Sequence, residues 1–104
     1  ISPIQVKEMM DSGEEIILLD VREPAELEIA RIKGALHIPM NEMSERYQEI
    51  SDNPTANIVC ICHHGIRSEM VMHQLWGLGY QNAKNMAGGI DAWSVEIDPK
   101  IPRY

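Results

Sequence analysis

The chain has 104 residues, close to the commonest length of one folded domain, so a second independent core does not fit. Nine Lys and Arg stand against sixteen Asp and Glu, and the net charge of −7 at pH 7 argues against a nucleic-acid partner, which requires a basic surface. No apolar stretch approaches the roughly 20 residues of a membrane span and no signal peptide is visible, so we expect neither a membrane segment nor export.

The N-terminal part of the chain predicts a helix followed by a buried strand. Ser2 is a good N-cap, Pro3 suits the first helical position and Gln5 completes a capping box, while Gly13 predicts that the helix ends shortly before it. Residues 16–19 form a short, continuous apolar run between acidic residues. Such a run is typical of a strand that is buried on both faces, as in a parallel sheet.

Three elements are predicted in the middle of the chain. Pro24 opens a short helix, because proline is favoured at the first helical position. Residues 35–38 are bracketed by a glycine and a proline and predict a brief extended piece. A longer helix is expected over residues 41–50, with Asn41 as its N-cap candidate.

The C-terminal half repeats the alternation of strand and helix. Residues 58–61 predict a second buried strand, 62–66 a loop, 67–78 a long helix, 83–86 a last short strand and 90–93 a helical turn. The apolar stripe expected on the long helix consists of Val71, Leu75 and Leu78. Alternating helices and buried strands indicate one α/β domain with a parallel sheet.

Cys62 is the residue that the pattern favours as a nucleophile. It directly follows the second buried strand, and ligands of open α/β sheets bind at the carboxyl ends of the strands. Loop amide groups and the N-terminus of the next helix stabilise an anion there, so the thiolate form of the cysteine is favoured. Arg67 adds a positive charge to the rim. A nucleophilic cysteine in an anion-binding loop is what sulfur transfer or phosphoryl transfer needs.

The second cysteine, Cys60, is interpreted as an inert buried thiol in the middle of the strand. A disulfide to Cys62 is not expected, because Cβ atoms two residues apart on a strand are about 7 Å from each other. Free thiols suit a reducing compartment, and we expect the cytoplasm. The Cys and His spacing fits no standard zinc pattern, so no metal site is predicted.

Four segments, taken together, resemble the rhodanese-like sulfurtransferase family. They are Leu18-Leu19-Asp20-Val21-Arg22-Glu23-Pro24-Ala25-Glu26, Ile32-Lys33-Gly34-Ala35-Leu36-His37-Ile38-Pro39, Cys62-His63-His64-Gly65-Ile66-Arg67-Ser68 and Ala87-Gly88-Gly89-Ile90-Asp91-Ala92-Trp93. Each is weak alone, but their order and spacing match the family over nearly the whole chain. One departure is Ala30-Arg31, where the family often carries Gly-His.

The resemblance implies a single rhodanese-like domain over residues 1–104, with a mostly parallel central sheet of about five strands and helices on both faces. It implies that Cys62 carries a sulfane sulfur as a persulfide and that no cofactor is needed. The donor would be thiosulfate or another persulfide, and the acceptor cyanide or a thiol, including a thiol protein. The backbone and side chains that would bind this sulfur belong to His63, His64, Gly65, Ile66 and Arg67.

Supporting roles have alternatives that the sequence leaves open. An ion pair between Asp20 and Arg22 is expected to fix the loop after the first strand. Arg67 either orients an anionic donor or pairs structurally with a nearby acid, and Asp20 and Glu23 are the candidate partners. His63 and His64 of the Cys62 loop either contact substrate or contribute only their backbone N–H groups.

Two rival functions share this scaffold. A phosphatase or arsenate reductase is disfavoured because only four residues separate Cys62 from Arg67, whereas Cys-x5-Arg phosphatase loops hold five. A shorter loop makes a smaller cradle, suited to a sulfur atom. A non-enzymatic binding or regulatory module is the other rival, and it is disfavoured because such modules typically lack the cysteine that is present here.

Overall fold

The computed structural model describes residues 1–104 and contains one parallel sheet flanked by helices. The sheet has four strands in the order β2-β1-β3-β4. The strands are β1 Ile17–Asp20, β2 Leu36–His37, β3 Ile58–Ile61 and β4 Ala83–Asn85. All neighbouring pairs are parallel, which confirms the predicted class of fold.

The strand count is smaller than the expected five. Ile1 lies beside β4, where its N-terminal nitrogen donates to Asn85 O at 3.1 Å and its carbonyl accepts from Ala87 N at 2.8 Å. These two bonds occupy the outer edge of β4, but a single residue does not make a strand. The sheet therefore ends at four strands.

Five helices surround the sheet. They are α1 Pro3–Asp11, α2 Pro24–Ile29, α3 Met43–Arg46, α4 Ile66–Gly77 and α5 Gly89–Glu96. The capping box of α1 is confirmed, since Gln5 N donates to Ser2 Oγ at 3.1 Å and Ser2 N donates to Gln5 Oε1 at 2.9 Å. None of the five is long and apolar enough to cross a membrane.

Two details of the predicted helices are wrong. The helix expected over residues 41–50 is a four-residue α-helix between 3₁₀ turns at Met40–Glu42 and Tyr47–Glu49, and Asn41 caps nothing. Such turns are common where a short helix tightens at its ends. Leu78 does not continue the apolar stripe of α4, because the helix ends at Gly77 and the Leu78 side chain is 39% exposed.

Two hydrophobic cores lie on opposite faces of the sheet, because side chains alternate along each strand. On β3 and just beyond it, Ile58, Cys60 and Cys62 belong to one core, while Val59 and Ile61 belong to the other.

Different helices cover the two cores. The first core also contains Met43 of α3 and Val71 and Leu75 of α4. The second core contains Val6 of α1 and Ile90 and Trp93 of α5. Cys62 therefore faces the α4 side of the sheet.

A buried ion pair joins the end of β1 to α2 and to the C-terminal segment. Arg22 Nη2 lies 2.6 Å from Asp20 Oδ2, and the two residues are 0% and 1% exposed. The same guanidinium donates to Ala30 O at 2.8 Å and, through Nη1, to Tyr104 Oη at 2.9 Å. Burial alone would lower the pKa of Arg22, but the hydrogen bonds to Asp20 and Tyr104 hold it above its usual value. The Arg22 guanidinium thus stays protonated, and its hydrogen bonds fix the loop after β1.

Replacing Arg22 should destabilise the fold strongly. In Arg22→Ala, the Asp20 carboxylate would stay buried without its counter-ion, and we expect the free energy of unfolding to fall by about 3–5 kcal/mol. Urea titration measures the change. Arg46→Ala, which breaks ion pairs at the surface, is the control and should cost far less. Equal losses in the two variants would contradict a structural role for the buried pair.

Candidate active site

Cys62 lies at the point where the direction of the chain through the sheet reverses. From β1 the chain moves to β2 on one side, and from β3 it moves to β4 on the other side. The gap between the carboxyl ends of β1 and β3 is the place where open α/β sheets bind ligands. Cys62 is the first residue after β3 and is only 1% exposed.

Hydrogen-bond donors of the following loop converge on the Cys62 sulfur. Gly65 N donates to Sγ at 3.1 Å, Ser68 N approaches it at 3.4 Å and Ser68 Oγ at 3.2 Å. Four further backbone amides have no protein acceptor: those of His63, His64, Ile66 and Arg67. The donors bonded to Sγ favour an anion there, and the free amides of the same loop are available to a further acceptor.

The carbonyl groups of the same loop are held on its other side by α5. Ile90 N donates to Cys62 O at 2.8 Å and Asp91 N donates to His63 O at 3.1 Å. This contact requires a glycine, since a Cβ on Gly89 would lie 2.4 Å from Cys62 O and 2.5 Å from His63 O. The first turn of α5 therefore fixes the loop backbone.

Gly65 makes the turn from the loop into α4. Its φ is +100°, a left-handed conformation that glycine adopts without strain. The room is also limited, since a Cβ there would lie 3.2 Å from Gly88 N. The turn brings Gly65 N and the first turn of α4 to the sulfur of Cys62.

Ser68 and Asn85 support the loop, although the sequence pattern did not predict this role for either residue. Ser68 Oγ lies 2.5 Å from Asn85 Oδ1 as well as 3.2 Å from the sulfur, so its single hydroxyl hydrogen can be given to either. Asn85 Nδ2 donates to Gly65 O at 3.0 Å. Asn85 ends the strand next to β3, and a polar residue at the carboxyl end of an adjacent parallel strand was the signal available for it.

Arg67 does not pair with Asp20 or Glu23, the acids expected from the sequence. Its Nη1 and Nη2 donate to Glu26 Oε1 at 2.6 Å and Oε2 at 2.9 Å. The hydroxyl of Tyr104 donates to Glu26 Oε2 at 2.6 Å. The hydrogen bond from Arg67 is the main cause that lowers the pKa of Glu26 to about 2. Asp20 instead pairs with Arg22, and Glu23 contributes only the N-cap of α2.

The two loop histidines form a stack with the C-terminal tyrosine. The His63 ring lies 3.8 Å from the Tyr104 ring and nearly parallel to it, and the His64 ring lies 3.9 Å from His63 on a tilt of 31°. His63 Nε2 is buried and has no hydrogen-bond partner. Burial and the hydrogen bond to Glu26 raise the pKa of Tyr104 to about 12, so its hydroxyl keeps its proton.

Cys60 lies in the same core as Cys62, but the loop donors bond only the Cys62 sulfur. It is 0% exposed within the core on the α4 side of the sheet. Burial raises the pKa of its thiol to about 12. The thiolate is the reactive form of cysteine, so Cys60 is unsuited to act as a nucleophile at neutral pH.

Comparison with known proteins identifies the family. The sequence model of the rhodanese-like domain matches residues 2–96. The chain belongs to the rhodanese-like domain family. It is 39% identical over 92 residues to the putative sulfur carrier protein YrkF of Bacillus subtilis, a match that covers 88% of this chain and 49% of YrkF.

Further relatives extend the match over the whole rhodanese-like chain. The chloroplastic rhodanese-like/PpiC domain-containing protein 12 of Arabidopsis thaliana is 33% identical over 112 residues, covering 100% of this chain and 38% of that protein. The chain thus spans about half, or less, of the length of these curated relatives.

Solved structures agree with the family and the fold. A rhodanese-related protein from Thermoplasma volcanium superposes with a TM-score of 0.84 at 30% identity, covering 100% of this chain and 97% of the other. The human single-domain sulfurtransferase TSTD1 gives a TM-score of 0.83 at 27% identity, covering 92% and 95%. The neighbours confirm a rhodanese-like architecture.

The Glu26–Arg67 pair should make the stability of this rhodanese-like domain depend on pH. The folded protein holds the pKa of Glu26 at about 2, below the ordinary value of about 4.3. The contribution is therefore present above about pH 5 and is lost as the pH falls towards about 2. We expect Glu26→Gln to lower the free energy of unfolding by about 1–2 kcal/mol at neutral pH, since the pair is partly solvated.

Urea titrations of the parent protein and Glu26→Gln at about pH 7, 5 and 3 measure this difference. The difference should be nearly the same at about pH 7 and about pH 5 and clearly smaller at about pH 3, because it is lost only as the pH falls towards the folded pKa of Glu26. Glu28→Gln, an exposed change on the same helix, should show no such trend. A stability difference for Glu26→Gln that is the same at each pH would contradict the assigned pair.

Proposed function

We propose that this rhodanese-like chain is a sulfurtransferase that carries a sulfane sulfur as a persulfide on Cys62, between a thiosulfate or persulfide donor and a cyanide or thiol acceptor. The observation that carries the proposal is the convergence of Gly65 N, Ser68 N and Ser68 Oγ on Cys62 Sγ, beside four amides that have no protein acceptor. The names of relatives, which include a sulfur carrier and a sulfurtransferase, support sulfur transfer in general.

In the loading step, the Cys62 thiolate attacks the sulfane sulfur of the donor. With thiosulfate, a Cys62 S–S bond forms, the S–S bond of thiosulfate breaks, and sulfite leaves with the electron pair of that bond. The enzyme then holds a persulfide anion. The loop amides stabilise this anion by fixed N–H dipoles, which need no reorganisation during the reaction.

In the discharge step, the acceptor attacks the outer sulfur of the persulfide. Cyanide forms thiocyanate, and a thiolate forms a new persulfide; in both cases the electron pair of the broken S–S bond returns to Cys62 as the thiolate. No oxidant or reductant is consumed over the cycle. A free thiol at the start of each cycle suits a reducing compartment such as the cytoplasm.

The spacing of the loop supports sulfur transfer over phosphoryl transfer. Four residues separate Cys62 from Arg67, and the turn at Gly65 closes the loop tightly around Sγ. A phosphoryl group has three peripheral oxygens to hold, whereas a persulfide adds a single atom. A cradle whose donors lie 3.1 to 3.4 Å from one sulfur suits the smaller group.

Intact mass spectrometry tests the proposal. Treatment with thiosulfate or an organic persulfide should add the mass of one sulfur atom, and cyanide should remove it. Cys62→Ser should gain nothing, while Cys60→Ser, the matched control for the inert thiol, should load like the parent protein. Failure of the folded protein to gain sulfur from both donors would contradict the proposal and favour a non-enzymatic binding module.

Gly89→Ala should change the shape of the Cys62 loop while leaving the Cys62 thiol in place. A Cβ there would collide with the carbonyls of Cys62 and His63, and the backbone φ of +60° is strained for alanine. We expect sulfur loading to slow by about tenfold to a hundredfold, because displacing a reacting group by about 1 Å has that effect.

The matched control for Gly89→Ala is Gly13→Ala. Gly13 has a φ of +79° but open space around its Cβ position, and it lies outside the loop. It should lose stability by about 1–3 kcal/mol from backbone strain alone, without slower loading. Normal loading by Gly89→Ala would show that α5 does not position the loop.

A further inference from the structure

Arg67, the arginine that follows the Cys62 loop, is held in an ion pair. Both terminal nitrogens of Arg67 donate to the Glu26 carboxylate in a bidentate pair, with side chains that are 29% and 18% exposed. The Tyr104 hydroxyl donates to the same carboxylate and holds it in place. An anionic donor that needs Arg67 must therefore displace Glu26 or approach a neutral ion pair.

The other arginines around the loop are matched in the same way. Arg22 pairs with the buried Asp20. Arg103 pairs with Asp91, whose backbone N–H donates to His63 O. The three pairs are Asp20–Arg22, Glu26–Arg67 and Asp91–Arg103. The arginines of the site thus supply no unmatched positive charge, in a chain whose net charge is −7.

The rim of the site offers apolar contact instead of charge. Ile66 and Met70, one turn apart on α4, have 73% and 59% of their surface exposed. Residues four apart lie on the same face of a helix, so the two side chains form one apolar strip leading away from the Cys62 loop. Such a strip suits the carbon skeleton of an organic donor better than a sulfonate group.

We propose that Glu26 determines the class of sulfur donor: by holding Arg67 it disfavours small dianions such as thiosulfate, and it leaves organic persulfides, R–S–SH, as the donors of Cys62. This inference rests on the proposed persulfide chemistry of Cys62. Glu26 is a positioning residue, because it acts through Arg67 and not on the sulfur.

The loading step with such a donor is balanced. The Cys62 thiolate attacks the terminal sulfur of R–S–SH, a Cys62 S–S bond forms and the donor S–S bond breaks. The thiolate R–S⁻ leaves with the electron pair, and the transferred sulfur then gives its proton to solvent, which leaves the persulfide anion on Cys62. The step involves one anion on each side, so it needs no free cation. Thiosulfate, in contrast, brings two negative charges to the rim and releases two as sulfite.

Glu26→Gln is the variant that frees the charge of Arg67 without opening α2. Glu26 Oε1 accepts from Glu23 N at 3.0 Å in the capping box of α2, and glutamine serves equally well in that position. Glu26→Asp keeps the negative charge and tests whether charge is the cause. Glu28→Gln removes the same formal charge from an exposed site on the same helix.

The experiment measures loading of Cys62 by quench and intact mass with two donors, thiosulfate and the persulfide of N-acetylcysteamine, which carries no other charge. It is run at about pH 8, to keep histidine protonation out of the comparison. The readout is the ratio of the two second-order loading rate constants. This ratio is insensitive to a general loss of folded protein, which affects both donors alike.

The parent protein should load from the organic persulfide at least about tenfold faster than from thiosulfate, and Glu26→Gln should raise the thiosulfate-to-persulfide ratio by about tenfold, as expected for a nearby unit charge. Glu26→Asp should keep the parent ratio within about twofold, because a negative charge remains beside Arg67. Glu28→Gln should also keep it within about twofold, because an exposed charge away from Arg67 is screened. An unchanged ratio in Glu26→Gln, or an equal rise in Glu28→Gln, would overturn the inference while leaving the persulfide function intact. Absence of loading from both donors in the parent protein would overturn the proposed function and the inference together.

Discussion

The site depends on one backbone contact, the docking of the Cys62 loop against the first turn of α5. Because Ile90 N and Asp91 N hold the carbonyls of Cys62 and His63, those carbonyls do not turn towards the sulfur. The contact leaves no room for a side chain at Gly89. With the acceptors fixed on one side, donors are left to surround Sγ, and they favour an anion there.

A second layer of interactions sets the charge of the rim. The buried Asp20–Arg22 pair fixes the end of β1 and the start of α2, and α2 presents Glu26 to Arg67. Tyr104 joins the two pairs, because its hydroxyl accepts from Arg22 and donates to Glu26. The network neutralises the arginines that an anionic substrate would otherwise meet. In our proposal, the fold thus favours an anionic sulfur on Cys62 through its amides and offers little attraction to a free dianion.

The structural features that could be predicted from the sequence are those that a local run of residues encodes. The capping box at Ser2, the two buried apolar runs and the strand–Cys62–loop–helix order are patterns of neighbouring residues, and each lies where expected. The partner of Arg67 is Glu26, 41 positions away, and Tyr104 reaches Glu26 across 78 positions. No local pattern encodes such pairings, since they depend on how α2 and the C-terminal segment pack.

A crystal structure of the sulfur-loaded protein would show whether the loop amides hold an anionic sulfur on Cys62. We expect continuous density for one extra sulfur on Sγ, lying within about 3.5 Å of several backbone nitrogens of the loop from His63 to Ser68, as for hydrogen bonds to sulfur. Density for a sulfur that points to solvent, without contacts to these nitrogens, would contradict it.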